Sequence, residues 1–185
     1  MRLFIAIELP DEIKQGINRV QDQLKRSGAS AGWTRPEGIH LTLKFLGEVS
    51  EEKVSEIMTA LTDAIKGAGK LNLEVKGAGA FPNTKNPRVL WIGVAGDSEK
   101  LAALQAAVED AMTGLGFERE ARRFSPHLTL ARIRFPKPRD NWQQVIEGIK
   151  DVTLGGFEAG RVSLMKSELK REGAVYTEIG SIELQ

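Results

Sequence analysis

The sequence predicts a mixed α/β or α+β fold made of two similar lobes facing a shared cleft. Three observations carry that prediction. Short apolar runs of strand length alternate with longer stretches of helical periodicity. The tetrapeptide His-Leu-Thr-Leu occurs twice, at residues 40–43 and 127–130, and contains both histidines of the chain. Shifting the chain by 87 residues superimposes these two copies, and it also lays LFIAI (3–7) on LWIGV (90–94) and the first helical stretch on the third without a gap.

The elements follow in order. Residues 3–7 are apolar, short and followed by Pro10, as in a buried strand. Ile13, Ile17, Val20 and Leu24 recur on one face of a helix over 11–25. After a loop at 28–38 comes a strand at 39–45. A second helix opens at 50–53, turns Val54, Ile57, Leu61 and Ile65 inward, and ends near Gly67. Residues 71–75 alternate as a half-buried strand does, and 81–88 (FPNTKNPR) form a turn-rich connector. The run 89–94 is predicted to be a buried strand with Trp91 in the core. A helix over 97–115, a strand over 127–133 and a short helix over 141–149 come next. Two strands, 157–169 and 174–184, finish the chain through a hairpin turn at 171–173. The expected organisation is one domain of two pseudo-symmetric lobes, repeated at an offset of 87 over about 1–80 and 88–168, plus a C-terminal hairpin strand.

Composition narrows the class. With 185 residues, 41% hydrophobic and 28% charged, the chain is long enough to bury a sizeable core and ordinary enough to be soluble. A net charge of +1 favours no polyanion partner as a whole, so any attraction must be local. There is no cysteine, which excludes disulfides, thiolate metal sites and cysteine nucleophiles. The opening MRLFIAIELPDE reads as a strand and not as a signal segment, and no run approaches a membrane-spanning length. A cytoplasmic protein without membrane contact is expected.

On a strand, alternate side chains share a face. His40 and Thr42 therefore point one way and Leu41 and Leu43 the other; His127 with Thr129, and Leu128 with Leu130, repeat the pattern. Lobe symmetry would bring two imidazoles and two hydroxyls around one point. An imidazole titrates near neutrality, so one can accept a proton while the other donates one. In-line displacement at phosphorus needs those two acts on opposite sides, with hydroxyl donors for the charge on the non-bridging oxygens. Two histidines are too few for a structural zinc, and no HExxH or clustered acid supplies further ligands, so neither metal nor cofactor is expected.

The paired motifs resemble the two-histidine (2H) phosphoesterases. Their context, HLTLKFLGEV (40–49), FPNTKNPRVLWIGV (81–94), RRFSPHLTLARI (122–133) and LMKSELKREGAVY (164–176), resembles the RNA 2′,3′-cyclic phosphodiesterase, or 2′-5′ RNA ligase-like, group. The resemblance implies a bilobal α+β fold, with outer helices and antiparallel sheets lining a central groove. It implies metal-independent hydrolysis of a terminal 2′,3′-cyclic phosphate to a 2′-phosphate, with His40 as proton donor, His127 as proton acceptor, and Thr42 and Thr129 holding the phosphate. It implies RNA as partner, with tRNA fragments among its sources; separately, a monomer is expected. A 2′-5′ ligase joining tRNA halves, and a non-catalytic RNA- or nucleotide-binding module, are the alternatives; the motifs alone do not say which histidine is acid and which base.

Secondary candidates surround the motifs. The family resemblance points to Arg132 as a phosphate ligand, but strict alternation puts it on the leucine face; it reaches the site only through a twist or bulge. Lys44 shares the predicted face of His40 and is a candidate RNA contact. Residues 119–139 are locally basic, with Arg122 a further RNA candidate. Phe124 is a candidate for stacking on a terminal base, with core packing as the competing role.

Overall fold

A computed structural model describes residues 1–185. It contains nine strands and four α-helices, with β1 (Arg2–Ile7), α1 (Asp11–Lys25), β2 (Gly32–Trp33), β3 (Leu41–Glu48), α2 (Val54–Ile65) and β4 (Leu71–Phe81) in the first half. The second half contains β5 (Val89–Gly96), α3 (Ser98–Gly114), β6 (His127–Arg132), α4 (Trp142–Glu147), β7 (Thr153–Ala159), β8 (Arg161–Lys170) and β9 (Gly173–Glu183). All pairing between these strands is antiparallel, in two sheets of order β3-β1-β8-β9 (sheet A) and β2-β6-β5-β4-β7 (sheet B). The architecture is α+β.

The sheet boundaries do not follow the boundaries of the sequence repeat. β1 and β3 occupy in sheet A the places that β5 and β6 occupy in sheet B. Yet β4, from the first half, pairs with β5, and β8, from the second, pairs with β1. Each half thus gives its last strand to the sheet of the other. The helices cross as well: α1 leaves sheet A and packs at β7 of sheet B, with Gly16 close under Leu154, while α3 leaves sheet B and packs at β3 of sheet A.

The periodicities seen in the sequence decide what is buried. Ile13, Ile17, Val20 and Leu24 of α1, Ile57, Leu61 and Ile65 of α2, and Leu3, Ile5 and Ile7 of β1 all join one contiguous core. Complete burial of each such side chain stabilises the fold by roughly 1.5–3 kcal/mol. The opposite face of sheet A carries a second, small cluster of Phe4, Ala6 and Met165 with Tyr176 against it. That face also carries the first motif.

Three features depart from the sequence reading. The strand expected at 157–169 is two strands, β7 and β8, separated at Gly160; the Gly155-Gly156 pair in β7 reads as a breaker in isolation but lies at the edge of sheet B against β4. β4 runs on through Gly77 and Gly79 to Phe81. Gly77 adopts a left-handed φ of 73° at a bulge, and a Cβ on Gly79 would lie 2.5 Å from the Trp91 ring. Trp91 is itself outside the core: Leu90, Ile92 and Val94 face inward, while half-buried Trp91 faces the motif side of sheet B, opposite Thr129.

Candidate active site

His40 directly precedes β3 and His127 opens β6, and these two strands approach one another where the sheets meet. Each imidazole is tethered in the same way. Nδ1 of His40 lies 2.9 Å from the Gly38 carbonyl, and Nδ1 of His127 lies 2.6 Å from the Ser125 carbonyl, in both cases two residues back along the chain. A carbonyl only accepts, so Nδ1 carries the proton in both rings. Nε2 is left for chemistry on both sides: an acceptor when the ring is neutral, a donor when it is protonated.

The rings differ in their surroundings. Phe4 meets His40 edge-on at 5.6 Å between centroids and Tyr176 at 5.2 Å, and only 9% of His40 is exposed. The Tyr176 ring approaches so closely over Gly38 that a Cβ there would lie 2.5 Å from it. His127 is half-buried, with Phe81 edge-on at 5.0 Å. Burial pushes the His40 imidazole below its ordinary value, and nearby Lys14 pushes the same way; the Gly38 carbonyl and Glu8 oppose them.

After each threonine the strand departs from simple alternation, in the same way on both sides. In sheet A, Ala6 faces Thr42 and Ile5 faces Lys44, so Leu43 is an extra residue, a β-bulge. In sheet B, Trp91 faces Thr129 and Leu90 faces Ala131, so Leu130 is the extra residue. The bulge reverses the faces of the residues that follow, up to a second register shift at Leu46 in β3. Arg132, expected on the leucine face unless the strand bulged, lies beside Thr129's face and is exposed. Lys44, expected beside His40 as an RNA contact, turns into the core instead. Its Nζ lies 2.6 Å from Oε1 of Glu109 and donates to the Glu118 carbonyl at 2.9 Å. Phe45 takes the position equivalent to Arg132, 70% exposed on the motif face with its ring 6.0 Å from Phe4. Sequence reading missed Phe45. The signal was present, since the 87-residue offset pairs Phe45 with Arg132.

Two glutamines from opposite halves brace the bulges. Gln21 of α1, 1% exposed, donates both amide hydrogens, to the Leu130 carbonyl at 2.9 Å and the Thr34 carbonyl at 2.7 Å. Gln105 of α3 donates to the Leu43 carbonyl at 3.3 Å and to Oε2 of Glu109 at 3.4 Å. Glu109 Oε1 also accepts the backbone N–H of Glu120 at 3.0 Å. One carboxylate therefore ties the first motif's strand to the segment leading into the second.

The remaining candidates are placed as follows. Phe124 is half-buried and packs against the main core. Arg122 is almost fully exposed, its guanidinium 3.5 Å from Glu120. Arg119 is paired with Asp110. No three histidine, aspartate or glutamate side chains converge to hold a metal ion, and no helix is long and apolar enough to cross a membrane.

The buried Lys44–Glu109 pair makes a measurable demand on stability. Glu109→Ala leaves the ammonium buried without its partner and is expected to lower unfolding free energy by about 3–5 kcal/mol in urea titration. Replacing both residues, Lys44→Met with Glu109→Leu, recovers most of that loss. A Glu109→Ala variant as stable as the parent would show that the pair holds nothing.

Comparison with known proteins agrees with this geometry. The family model described as LigT like Phosphoesterase matches the chain twice, over residues 7–91 and 92–176. A protein of Methanothermobacter thermautotrophicus named RNA 2′,3′-cyclic phosphodiesterase is 35% identical over 97% of this chain and 96% of its own length. A protein of the same name from Methanocaldococcus jannaschii is 38% identical over 95% and 96%. Among solved structures, a Thermus thermophilus protein superposes with a TM-score of 0.79 at 29% identity, covering 100% of this chain and 98% of that one. E. coli LigT crystallised with phosphate superposes with a TM-score of 0.73 at 26% identity, covering 99% and 96%. Two matches of one family model across nearly the whole chain, each containing one tethered histidine motif, lead to one assignment: the chain belongs to the LigT-like phosphoesterases.

Proposed function

We propose that this protein is an RNA 2′,3′-cyclic phosphodiesterase that opens the terminal cyclic phosphate to a 2′-phosphate by histidine acid–base catalysis. The observation that carries the proposal is the matched tether: both histidines spend Nδ1 on a carbonyl two residues back, which leaves Nε2 of each ring for chemistry. The names of its relatives support the same activity. In this reading a water oxygen attacks phosphorus and its proton passes to Nε2 of His127. The bond from phosphorus to the 3′ oxygen breaks, and that oxygen takes the proton from Nε2 of His40. The product carries a 2′-phosphate and a 3′-hydroxyl. His127 then returns its proton to solvent and His40 recovers one. Thr42 and Thr129 donate to the non-bridging oxygens, and Arg132, brought to the motif face by its bulge, neutralises charge there. The reading extends to a cytoplasmic monomer that acts on RNA ends, those of tRNA fragments included.

The assigned donor role makes a demand on His40. Its lowered affinity for protons favours the neutral ring in the free protein, so the bound phosphate anion has to restore the protonated form. The test isolates this ring. In a His127→Ala background, kcat/KM reports the free enzyme through one remaining imidazole. If His40 donates, residual activity is fully present at low pH and is lost as pH rises through a midpoint below 6.5, the ordinary value. A profile that climbs with pH instead reverses the two roles.

The direct experiment is incubation with an RNA ending in 2′,3′-cyclic phosphate. A 2′-phosphate product is expected, unaffected by chelator, with His40→Ala and His127→Ala each slower by about 10²-fold or more at unchanged folding. A 3′-phosphate product, or loss of activity with EDTA, overturns the scheme. Turnover of a small cyclic nucleotide with water alone distinguishes hydrolysis from end joining.

A further inference from the structure

Sheet B carries a second opening beside His127. It begins at Ser125, whose carbonyl tethers His127, and at Gly93, which pairs with His127 across β5 and β6. From there it crosses the sheet past Trp91 and Lys76 to Lys150 and Thr153 as a shallow, open depression of about 570 Å³.

Its floor and rim suit one kind of occupant. The Trp91 indole lies over Gly79, the only kind of residue that admits it at that distance, since a Cβ would be 2.5 Å from the ring. The half-buried indole also packs against the Phe81 ring, 5.4 Å away and tilted by 36°, and its remaining exposed part lines the opening. Gly77 and Gly93 bring backbone to the lining; at Gly93 a Cβ would lie 2.9 Å from the Lys76 carbonyl, so glycine there is what lets the two strands approach. On the rim are two ammonium groups, Lys76 and Lys150, about half-exposed and paired only with the exposed carboxylates of Glu74 and Glu147. Exposed pairs of this kind contribute about 0–1 kcal/mol, so an incoming phosphodiester can displace either carboxylate. Asp151 also lines the cavity and sets a limit on how much negative charge it accepts. A flat aromatic platform next to paired cations is the combination that binds single-stranded nucleic acid without reading its sequence.

We propose that this opening is the subsite for the nucleotide on the 5′ side of the terminal one, its base over Trp91 and its phosphodiester between Lys76 and Lys150. This rests on the phosphodiesterase reading and extends it: the preferred substrate is an oligoribonucleotide end and not a free cyclic mononucleotide.

The experiment compares a nucleoside 2′,3′-cyclic monophosphate with a short oligoribonucleotide ending in 2′,3′-cyclic phosphate, in the parent and in a Lys76→Ala/Lys150→Ala variant. Both lysines are surface groups outside the core. The parent is expected to favour the oligonucleotide by about tenfold or more in kcat/KM. The variant loses most of that advantage through a KM raised about tenfold for the oligonucleotide, with the mononucleotide unaffected. Its dependence of log KM on log salt falls by roughly one to two. An unchanged oligonucleotide KM, or an equal loss on both substrates, overturns the subsite. If the parent hydrolyses neither substrate, the phosphodiesterase reading fails instead, and fluorescence anisotropy decides the subsite separately. There, tenfold weaker binding of a labelled oligoribonucleotide by the variant supports it, and equal binding overturns it.

Discussion

The site depends on one extra residue in each motif strand. A regular strand cannot put histidine, threonine and the third residue after threonine on one face, because the interval from threonine is odd. Leu43 and Leu130 break the alternation after the threonine, so that Phe45 and Arg132 return to the motif side while Lys44 and Ala131 turn inward. A bulge leaves ladder groups without their regular partners, and burial makes that costly unless a donor arrives from elsewhere. Gln21 joins the Thr34 N–H at the Leu130 carbonyl, and Gln105 donates to the Leu43 carbonyl. They come from α1 and α3, the helices that cross from one sheet to the back of the other. The strand exchange and the helix crossing therefore do more than close the fold: they make each half responsible for the geometry of the other half's motif.

This explains what could be read from the letters and what could not. Element order, helix faces and the His-x-Thr pattern follow from local periodicity and were legible. The bulge was not, because alternation is a local rule and a bulge is stabilised by tertiary partners. Lys44 is an example. By strand periodicity it belongs with His40, yet its partner Glu109 is 65 residues away on α3. No neighbouring residue signals that a lysine will be buried. Trp91 failed for a related reason. VLWIGV is apolar on both faces and so carries no alternation to read, and the glycines that make room for its ring lie on two different strands. β7 was hidden by its Gly-Gly pair, a breaker in isolation that an edge strand tolerates.

The two halves share a backbone solution but not an environment. Around His40, Phe4 and Tyr176 close in edge-on and Lys14 adds a positive charge, so the free ring favours neutrality. Around His127 the neighbouring strand offers Gly93, and the ground beyond it opens into a cavity. Sheet A thus walls its histidine with aromatic rings, whereas sheet B leaves space beside its own.

That contrast has a consequence for how a repeated motif can carry two roles. The tethers are alike, so the tautomer is fixed in both rings and cannot distinguish them. What separates them is the packing around each ring and not the motif itself; at His40 that burial pushes the imidazole below its ordinary value. The two rings therefore differ in enclosure: His40 is nearly covered by its neighbours, while His127 is half-buried beside an opening. Two copies of His-Leu-Thr-Leu supply the same atoms at the same offsets, and the unlike residues behind them, Phe4 against Trp91 and Phe45 against Arg132, give the two rings different surroundings.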